Sequence, residues 1–432
     1  MPTTKLQRLF QYGSLATSMS LNAASDGIKS VVSGQKTSLK QLALSSKNVS
    51  LLGDRLKKMR GAALKVGQML SIQDESFLPR EISQLLQTVQ NQSYFMPPRQ
   101  LNRILTANFG DQWRAKFKSF NETPIASASI SQVHSAVLQS GEKVAVKIQY
   151  PGVKDSIDSD MDTLLALLSA SSLLPKGMYA DKSIANAREE LKWECDFIRE
   201  AQAIKKFGEL LADDSVFVVP KVYDHLTTKD IITMDYLEGE PITDLSRDDQ
   251  QLKDWIGSEI MRLCLCEIAV FKFMQTDPNW GNFLYNSQTG KIELIDFGAS
   301  RGFDDQFISN YVHCLTAGVN QDYEQVKLYS TKLGYLTGLE TKEMTDAHVE
   351  SIMVLGEPFR PTSSSQDSTY DFSKQDVTNR VKAKIGLMLR ERLTPPPEET
   401  YSLHRKFSGV FLLCTRLQAK IKCHELFERY FK

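Results

Sequence analysis

Two motifs give the clearest indication of the fold, Asp277-Pro278-Asn279-Trp280-Gly281-Asn282 and Leu294-Ile295-Asp296-Phe297-Gly298. A carboxylate and an amide lie five positions apart in the first motif, and the second places another carboxylate fourteen positions after that amide. One carboxylate can orient a nucleophile or accept its proton, while an amide oxygen and a second carboxylate can hold magnesium against phosphate groups. The spacing therefore predicts a phosphate-transfer site, with Asp277 as the catalytic carboxylate and Asn282 and Asp296 as metal ligands.

Protein kinases space a catalytic aspartate, a metal-binding asparagine and a D-F-G aspartate in this way. Such a site also needs a strand lysine for the nucleotide phosphates and a helical glutamate that holds the lysine. Val144-Ala145-Val146-Lys147 supplies a lysine in a predicted strand, and Glu200 lies on a predicted charged helix. Alone, an edge-strand lysine and a surface glutamate would be the simpler interpretations. With both aspartate motifs present, we interpret Lys147 and Glu200 as catalytic.

The chain also departs from ordinary protein kinases. Where a glycine-rich phosphate loop is expected, it has Ala126-Ser127-Ala128-Ser129. Backbone amides and hydroxyls of this loop can bond phosphate, but the Cβ atoms restrict a close backbone approach. Gln275-Thr276-Asp277 replaces H-R-D, and no A-P-E follows Asp296. Both absences argue against an activation segment that docks peptide substrates.

Composition narrows the class of protein. The chain has 432 residues, with 52 Lys+Arg against 52 Asp+Glu, 41% hydrophobic residues and 24% charged residues. These values exclude disordered, collagen-like and disulfide-scaffold proteins, and the zero net charge gives no reason to expect a nucleic-acid partner. Six cysteines without a C-x-x-C or zinc-ligand grouping predict reduced, mostly buried thiols and a reducing compartment. The longest apolar stretches, 163–174 and 263–274, are shorter than the roughly 18–20 residues that span a bilayer.

Periodicity predicts the order of elements. Residues 1 to about 120 show helical spacing, which Pro97-Pro98 interrupts, and a β-hairpin follows. After the hairpin, helices alternate with short strands, and the chain beyond 244 is predicted to be mostly helical. The predicted elements are hairpin strands at 134–138 and 144–148, helices at 156–174 and 184–211, strands at 216–223 and 231–237, and a strand pair at 283–285 and 292–295.

Four motifs together resemble the UbiB family of atypical kinases. They are Lys65-Val66-Gly67-Gln68, the alanine-rich loop at 126–129, Glu194-Cys195-Asp196 and Gln275-Thr276-Asp277-Pro278-Asn279-Trp280. K-x-G-Q and the alanine-rich loop are signatures of that family rather than of kinases in general, although Ser127 interrupts the triple-alanine form. The resemblance covers roughly residues 40 to 430 and is nearest to the mitochondrial members needed for coenzyme Q biosynthesis. Residues 8–16 resemble the segment that follows the presequence in those members.

The resemblance implies an α+β, protein-kinase-like bilobal fold, with a small β-containing N-lobe, a helical C-lobe and a helical extension over the active site. Its expected domains are an N-terminal segment at 1–40 that associates with the membrane after a presequence, the helical extension at 41–118, the N-lobe at 119–238 and the C-lobe at 239–432. The extension would be regulatory, because Lys65, Gly67 and Gln68 would enter the site and Lys65 would pair with Glu194 or Asp196. The expected nucleotide-binding residues are Ala126, Ser127, Ala128, Ser129, Lys147 and the linker Met234, Asp235, Tyr236 and Leu237.

The function that follows is a magnesium-dependent, ATP-binding kinase or ATPase of coenzyme Q (ubiquinone) biosynthesis. It would act on or mobilise lipid intermediates and support the biosynthetic enzyme complex. Two alternatives stay open, a pseudokinase scaffold that binds nucleotide without turnover and a conventional protein kinase. The cofactors are ATP and Mg, and the expected partners are anionic membrane lipids, polyprenyl quinone intermediates, coenzyme Q biosynthesis proteins and a second copy in a homodimer. The expected location is the matrix side of the inner mitochondrial membrane, where Leu6, Leu9 and Phe10 with Lys5 and Arg8 would form a peripheral attachment.

Overall fold

The computed structural model describes two compact units. The residues that it describes are 13–14, 17–18, 20–22, 24–25, 48, 51, 95–170, 180–243, 249–277, 279–361 and 369–431. The first unit comprises the chain up to 175 together with 184–205 and 220–237. The second comprises 176–183, 206–219 and 238–432.

The regular elements of this part of the chain are numbered here in chain order. The helices are α1 (Pro98–Phe109), α2 (Val153–Ala170), α3 (Ala180–Glu194), α4 (Phe197–Leu210), α5 (Gln250–Ala269), α6 (Asp305–Val319), α7 (Tyr323–Lys332), α8 (Lys342–Leu355), α9 (Val377–Glu391), α10 (Glu398–Leu417) and α11 (Cys423–Phe431). The strands are β1 (Phe117–Phe120), β2 (Ala126–Ser127), β3 (Ser131–Leu138), β4 (Lys143–Gln149), β5 (Phe217–Val218), β6 (Ile231–Asp235), β7 (Glu240–Pro241), β8 (Phe273–Gln275), β9 (Phe283–Asn286), β10 (Lys291–Leu294), β11 (Ser300–Gly302), β12 (Tyr370–Asp371) and β13 (Lys420–Ile421).

The first unit contains a five-stranded antiparallel sheet. Its strand order is β1-β3-β4-β6, and β2 pairs with β3. The predicted hairpin is confirmed as β3 and β4, whose turn contains Gly141 at φ 104°, a value that favours glycine. Val144, Val146 and Ile148 on β4 are fully buried, as expected for β-branched residues in a central strand. Since β4 lies between β3 and β6, the interpretation of Lys147 as an edge-strand lysine is wrong.

The charged segment at 184–211 is two helices rather than the single predicted helix. α3 ends at Glu194 and α4 begins at Phe197. Asp196 stands between them, where its Oδ1 accepts a hydrogen bond from the Arg199 amide at 3.1 Å and its carbonyl oxygen accepts from the Glu200 amide at 3.0 Å. An aspartate that caps the first turn in this way favours a new helix start over continuation.

Prolines mark the limits of two elements. The predicted interruption at Pro97-Pro98 agrees with the structure, in which 95–97 are not helical and Pro98 begins α1, because a missing amide hydrogen has no cost in the first turn. The strand predicted at 216–223 is reduced to β5 and an isolated bridge between Val222 and Met234. Pro220 lies between these two pieces and cannot donate a hydrogen bond to a sheet.

The second unit combines small sheets with most of the helices. Its larger sheet has the order β5-β10-β9-β7, and the predicted strand pair is confirmed as the antiparallel β9 and β10. β8 pairs with β11, and β12 pairs with β13. The six cysteines of the chain are all buried and free of disulfides, which confirms the prediction of reduced thiols. In the part of the chain that is described, no helix has both the length and the apolar character needed to span a bilayer.

Two glycines allow α6 and the end of α8 to approach closely. A Cβ atom added at Gly356 would lie 2.8 Å from the Val319 amide nitrogen and 2.9 Å from the Gly318 carbonyl carbon. Gly356→Ala should therefore cost roughly 1–3 kcal/mol of unfolding free energy, because backbone atoms must shift. Gly386→Ala on α9 is the control, since its Cβ would meet only the end of the Arg390 side chain at 3.9 Å. Urea unfolding should show the control unchanged or more stable; equal losses in both variants would contradict this packing account.

His348 makes the stability of the second unit depend on pH. Its side chain is buried, with Nε2 2.9 Å from Ser330 Oγ, and burial lowers its pKa from 6.5 to about 3. Above pH 6.5 both folded and unfolded states hold a neutral imidazole, whereas below that pH only the unfolded state gains a proton. Stability should thus fall as pH decreases, by about 2 kcal/mol between pH 7 and pH 5 from this group. Urea unfolding should show a smaller fall in His348→Gln than in the wild type; identical pH profiles would contradict the assignment.

Candidate nucleotide site

The first unit brings Lys147 and Glu200 together as a buried ion pair. Lys147 Nζ donates to Glu200 Oε1 at 2.7 Å, although the two residues are 53 positions apart in sequence. The exposed fractions of the two residues are 7% and 0%. Lys147 projects from the central strand β4, and Glu200 lies in the first turn of α4, which Asp196 caps. The ammonium is thus held in one place by the sheet, the helix cap and the carboxylate.

The alanine-rich loop forms a tight turn without glycine. β2 pairs with β3 through Ala126↔Val133 and Ser127↔Gln132, and the Ala128 amide donates to the Ser131 carbonyl oxygen at 2.8 Å. All of 126–131 is described, and none of these residues has a positive φ. Alanine and serine therefore fit the turn without the backbone strain that glycine usually relieves. The Ser127 hydroxyl is hydrogen-bonded to the Tyr150 hydroxyl at 2.7 Å.

A buried polar network supports the base of this loop. Gln132 Oε1 accepts from the Met96 amide at 2.8 Å, so its Nε2 donates to His134 Nε2, also at 2.8 Å. His134 Nε2 is therefore unprotonated, and Nδ1 donates to the Asn121 carbonyl oxygen at 2.8 Å. Burial lowers the pKa of His134, which agrees with this neutral tautomer. The network makes His134 a structural residue that joins β3 to two neighbouring segments.

The predicted adenine linker, 234–237, continues from β6. Met234 is buried and pairs with Ala145 on β4. Asp235 uses both carboxylate oxygens inside the unit, accepting from the Lys221 amide and the Tyr223 hydroxyl at 2.9 Å each. The Tyr236 amide donates to the Lys143 carbonyl oxygen at 3.1 Å. Since both Asp235 carboxylate oxygens already accept hydrogen bonds within the unit, the main-chain groups of 234–237 are better candidates for contact with an adenine base.

The second unit contains the three acidic and amide side chains of the predicted metal and catalytic site. Trp280–Asn282 is a single 3-10 turn, which leads directly into β9. The Ile295 amide donates to the Asn282 carbonyl oxygen at 3.2 Å, and Asn282 and Asp296 line one small pocket. Asp277 Oδ1 accepts from the Asn279 amide at 3.2 Å, which closes the turn that precedes Asn282.

The residues in this pocket fit magnesium better than a softer metal. Asp296 and Asn282 offer a carboxylate and an amide oxygen, the hard donors that magnesium takes together with substrate phosphates. No described residue accepts a hydrogen bond from Asn282 Nδ2, which is buried, so the protein does not fix the amide in an orientation that excludes its oxygen. In the described ranges, no group of three His, Cys, Asp or Glu side chains forms a metal cage. A site completed by nucleotide phosphates agrees with the carboxylate and amide donors of Asp296 and Asn282.

The regulatory motifs are described only in part. Lys65, Gly67 and Gln68 lie outside the described residues. Glu194 is a buried residue at the end of α3, and Asp196 is the cap of α4. A pairing of Lys65 with either carboxylate stays a prediction.

Three charged residues next to the predicted catalytic segment were missed by sequence reasoning. Lys406 Nζ lies 2.8 Å from Glu267 Oε2 and donates to the Gln275 carbonyl oxygen at 2.8 Å. Arg405 Nε donates to the Thr276 carbonyl oxygen at 3.2 Å. The available signal was Glu267, a lone charge within the apolar run 263–268, because a buried charge requires a partner. The identity of that partner depends on tertiary contacts between distant helices.

Comparisons with known proteins agree with the kinase-like motifs. Residues 88–330 match the family described as ABC1 atypical kinase-like domain. The chain is 54% identical over 430 residues to the Saccharomyces cerevisiae protein "Atypical kinase COQ8, mitochondrial", with 100% of this chain and 85% of that protein covered. It is 43% identical over 429 residues to the Rattus norvegicus protein "Atypical kinase COQ8B, mitochondrial", with 99% of this chain and 80% of that protein covered.

A solved structure supports the fold class. The structure of Rv3197 in complex with erythromycin, from Mycobacterium tuberculosis, gives a TM-score of 0.58 at 24% identity and covers 90% of this chain and 96% of that chain. Together with the two α+β units, these comparisons confirm the predicted kinase-like fold. The chain therefore belongs to the UbiB family of atypical kinases, which carry the ABC1 atypical kinase-like domain.

Proposed function

We propose that the chain is a magnesium-dependent ATP-binding kinase or ATPase of coenzyme Q biosynthesis. The observation that carries the proposal is the buried Lys147–Glu200 ion pair at 2.7 Å, found together with the Asp277, Asn282 and Asp296 motifs. A buried charged pair gives little net stability, since desolvation offsets its attraction. Its position on a central strand is better explained by a function for the lysine ammonium, which is to bind nucleotide phosphates.

Each residue has a distinct task in this proposal. Lys147, oriented by Glu200, would donate hydrogen bonds to phosphate oxygens, and the amides of 126–129 would contact the same groups. Asn282 and Asp296 would hold magnesium, which supplies positive charge to the phosphates when bound. Asp277 would orient the attacking hydroxyl or water and accept its proton. The intact Asp277 favours turnover over a scaffold that only binds nucleotide.

The proposed substrates are lipid intermediates rather than peptides. Support against peptides comes from the absence of H-R-D and A-P-E in the sequence. The relatives named "Atypical kinase COQ8, mitochondrial" and "Atypical kinase COQ8B, mitochondrial" support the coenzyme Q context. Those names also support a mitochondrial location, and we place the chain peripherally on the matrix side of the inner membrane. Its proposed attachment segment, with Leu6, Leu9, Phe10, Lys5 and Arg8, lies outside the described residues.

The test is phosphate release from ATP and magnesium, with neutral vesicles and with vesicles that contain cardiolipin. The proposal expects release that rises on the anionic vesicles, and cosedimentation with them that is lost when residues 1–25 are deleted. Nucleotide binding without release under every condition would overturn the enzymatic proposal and favour the scaffold. A rate of phosphate release that is the same with and without either kind of vesicle would overturn only the proposal that the substrates are lipids.

A further inference from the structure

The two residues before Asp277 are held through their main chain. Gln275 is 7% exposed and Thr276 is fully buried. The Gln275 carbonyl oxygen accepts from Lys406 Nζ at 2.8 Å, and the Thr276 carbonyl oxygen accepts from Arg405 Nε at 3.2 Å. The Thr276 hydroxyl also accepts from an Arg405 amino group at 3.3 Å. Two adjacent cations on α10 therefore hold two consecutive carbonyl groups at the start of the catalytic loop, 275–282.

The anionic partner of Lys406 holds the same loop residue from its amide side. Glu267 Oε1 accepts from the Gln275 amide at 3.1 Å, and Glu267 Oε2 lies 2.8 Å from Lys406 Nζ. The side chains of Lys406 and Glu267 are 2% and 1% exposed. Glu267 thus bonds the amide of Gln275 and Lys406 bonds its carbonyl, so the two members of one buried ion pair hold the same residue. A buried ion pair gives little net stability by itself. The main effect of this pair is therefore to fix the position of Gln275.

α10 also contacts the other end of the loop. The Arg416 guanidinium lies 4.8 Å from the centroid of the Trp280 ring, which is a cation–π distance. Arg405 and Arg416 are eleven residues apart on α10, or about 16 Å along a helix. One helix thus supports the catalytic loop on both sides of Asp277.

We propose that Lys406 and Glu267, with Arg405, are positioning residues for Asp277. They fix the main chain of 275–276, from which the catalytic carboxylate projects, in a chain where Gln275-Thr276 stands in place of the H-R of H-R-D. The inference rests on the proposed function, because it assigns these residues to the same reaction. A displacement of about 1 Å at a reacting group can cost roughly 10²-fold in rate, which sets the expected size of the effect.

The experiment uses the full chain with the double substitution Glu267→Gln/Lys406→Met. This change removes both charges together, so that no unpaired charge is left inside the fold, and it removes the donor to the Gln275 carbonyl. We expect kcat for phosphate release to fall about 10²-fold and the KM for ATP to stay within about twofold, because Lys147, Asn282 and Asp296 are unchanged.

The matched control is Asp214→Asn/Arg262→Met. Arg262 lies on α5, as Glu267 does, and its Nη1 is 2.8 Å from Asp214 Oδ2, with both side chains 15% exposed. The control also removes a carboxylate and its cationic partner on α5, where Arg262 Nε pairs with Glu259 Oε2 at 2.6 Å as well, but this pair does not bond residues 275–276. Its kcat should stay near the wild-type value. An equal loss of kcat in both double variants would overturn the inference, since a general effect on the fold would then explain it.

A second readout does not depend on turnover. Hydrogen exchange of the amides in 275–282 should be at least about tenfold faster in Glu267→Gln/Lys406→Met than in the wild type or the control. Unchanged exchange or unchanged kcat in that variant would overturn the positioning role. If the wild type itself releases no phosphate, the proposed function fails, and hydrogen exchange alone still decides whether the ion pair holds the loop.

Discussion

Asp277→Asn should lower kcat for phosphate release by roughly 10²–10⁴-fold, because the amide cannot accept the proton that the carboxylate takes. The substitution keeps the local structure, since an asparagine oxygen can still accept the hydrogen bond from the Asn279 amide that Asp277 Oδ1 accepts at 3.2 Å. The KM for ATP should therefore change by no more than about twofold. Steady-state kinetics with ATP and magnesium give both constants.

The control for this variant is Asp305→Asn. Asp305 belongs to the same unit, its side chain is 82% exposed, and it pairs with Lys272 at 2.6 Å. The chemical change is identical, so the control should keep wild-type kinetics. Full activity in Asp277→Asn would contradict a catalytic role for the carboxylate, and a comparable loss in Asp305→Asn would show that the assay reports general damage.

Lys147→Met should have the largest combined effect on stability and activity. It removes the ammonium that pairs with Glu200 at 2.7 Å, and Glu200 is 0% exposed. Removing one member of a buried pair typically costs about 3–5 kcal/mol of unfolding free energy. Because the ammonium that would bind the phosphates is also lost, we expect the thermal shift on adding ATP and phosphate release to disappear together.

The double variant Lys147→Met/Glu200→Gln separates the two effects. Removal of both charges should restore most of the lost stability, because no unpaired charge stays buried. Nucleotide binding and turnover should stay absent. Lys205→Met is the control. Lys205 pairs with Asp224, both side chains are exposed, and such a surface pair contributes about 0–1 kcal/mol to stability. A double variant that regains activity would show that Lys147 has only a structural role.

Local patterns were enough to predict the hairpin, and analogy with kinases was needed to predict the charged pair. The alternation at 144–148 and the turn around Gly141 specify β3 and β4, because both signals act between near neighbours in sequence. Lys147 and Glu200 were paired by analogy with kinase chemistry, and the structure joins them across 53 positions. The roles of Asp277, Asn282 and Asp296 follow from motif spacing and stay predictions.

Tertiary contacts account for what the sequence could not predict. The end of α3 at Glu194 depends on how Asp196 caps α4, which helical periodicity alone does not reveal. The bond between Lys406 and the Gln275 carbonyl joins groups 131 positions apart, so no local pattern indicates it.

Phosphate release as a function of magnesium concentration, in the wild type and in Asp296→Asn, tests whether the chain is a magnesium-dependent kinase or ATPase. The wild type should release phosphate only when magnesium is present. Asp296→Asn should need much more magnesium for its residual release, because a carboxylate ligand is lost. Release by the wild type that persists without divalent cations, or an Asp296→Asn variant with an unchanged magnesium dependence, would contradict the account.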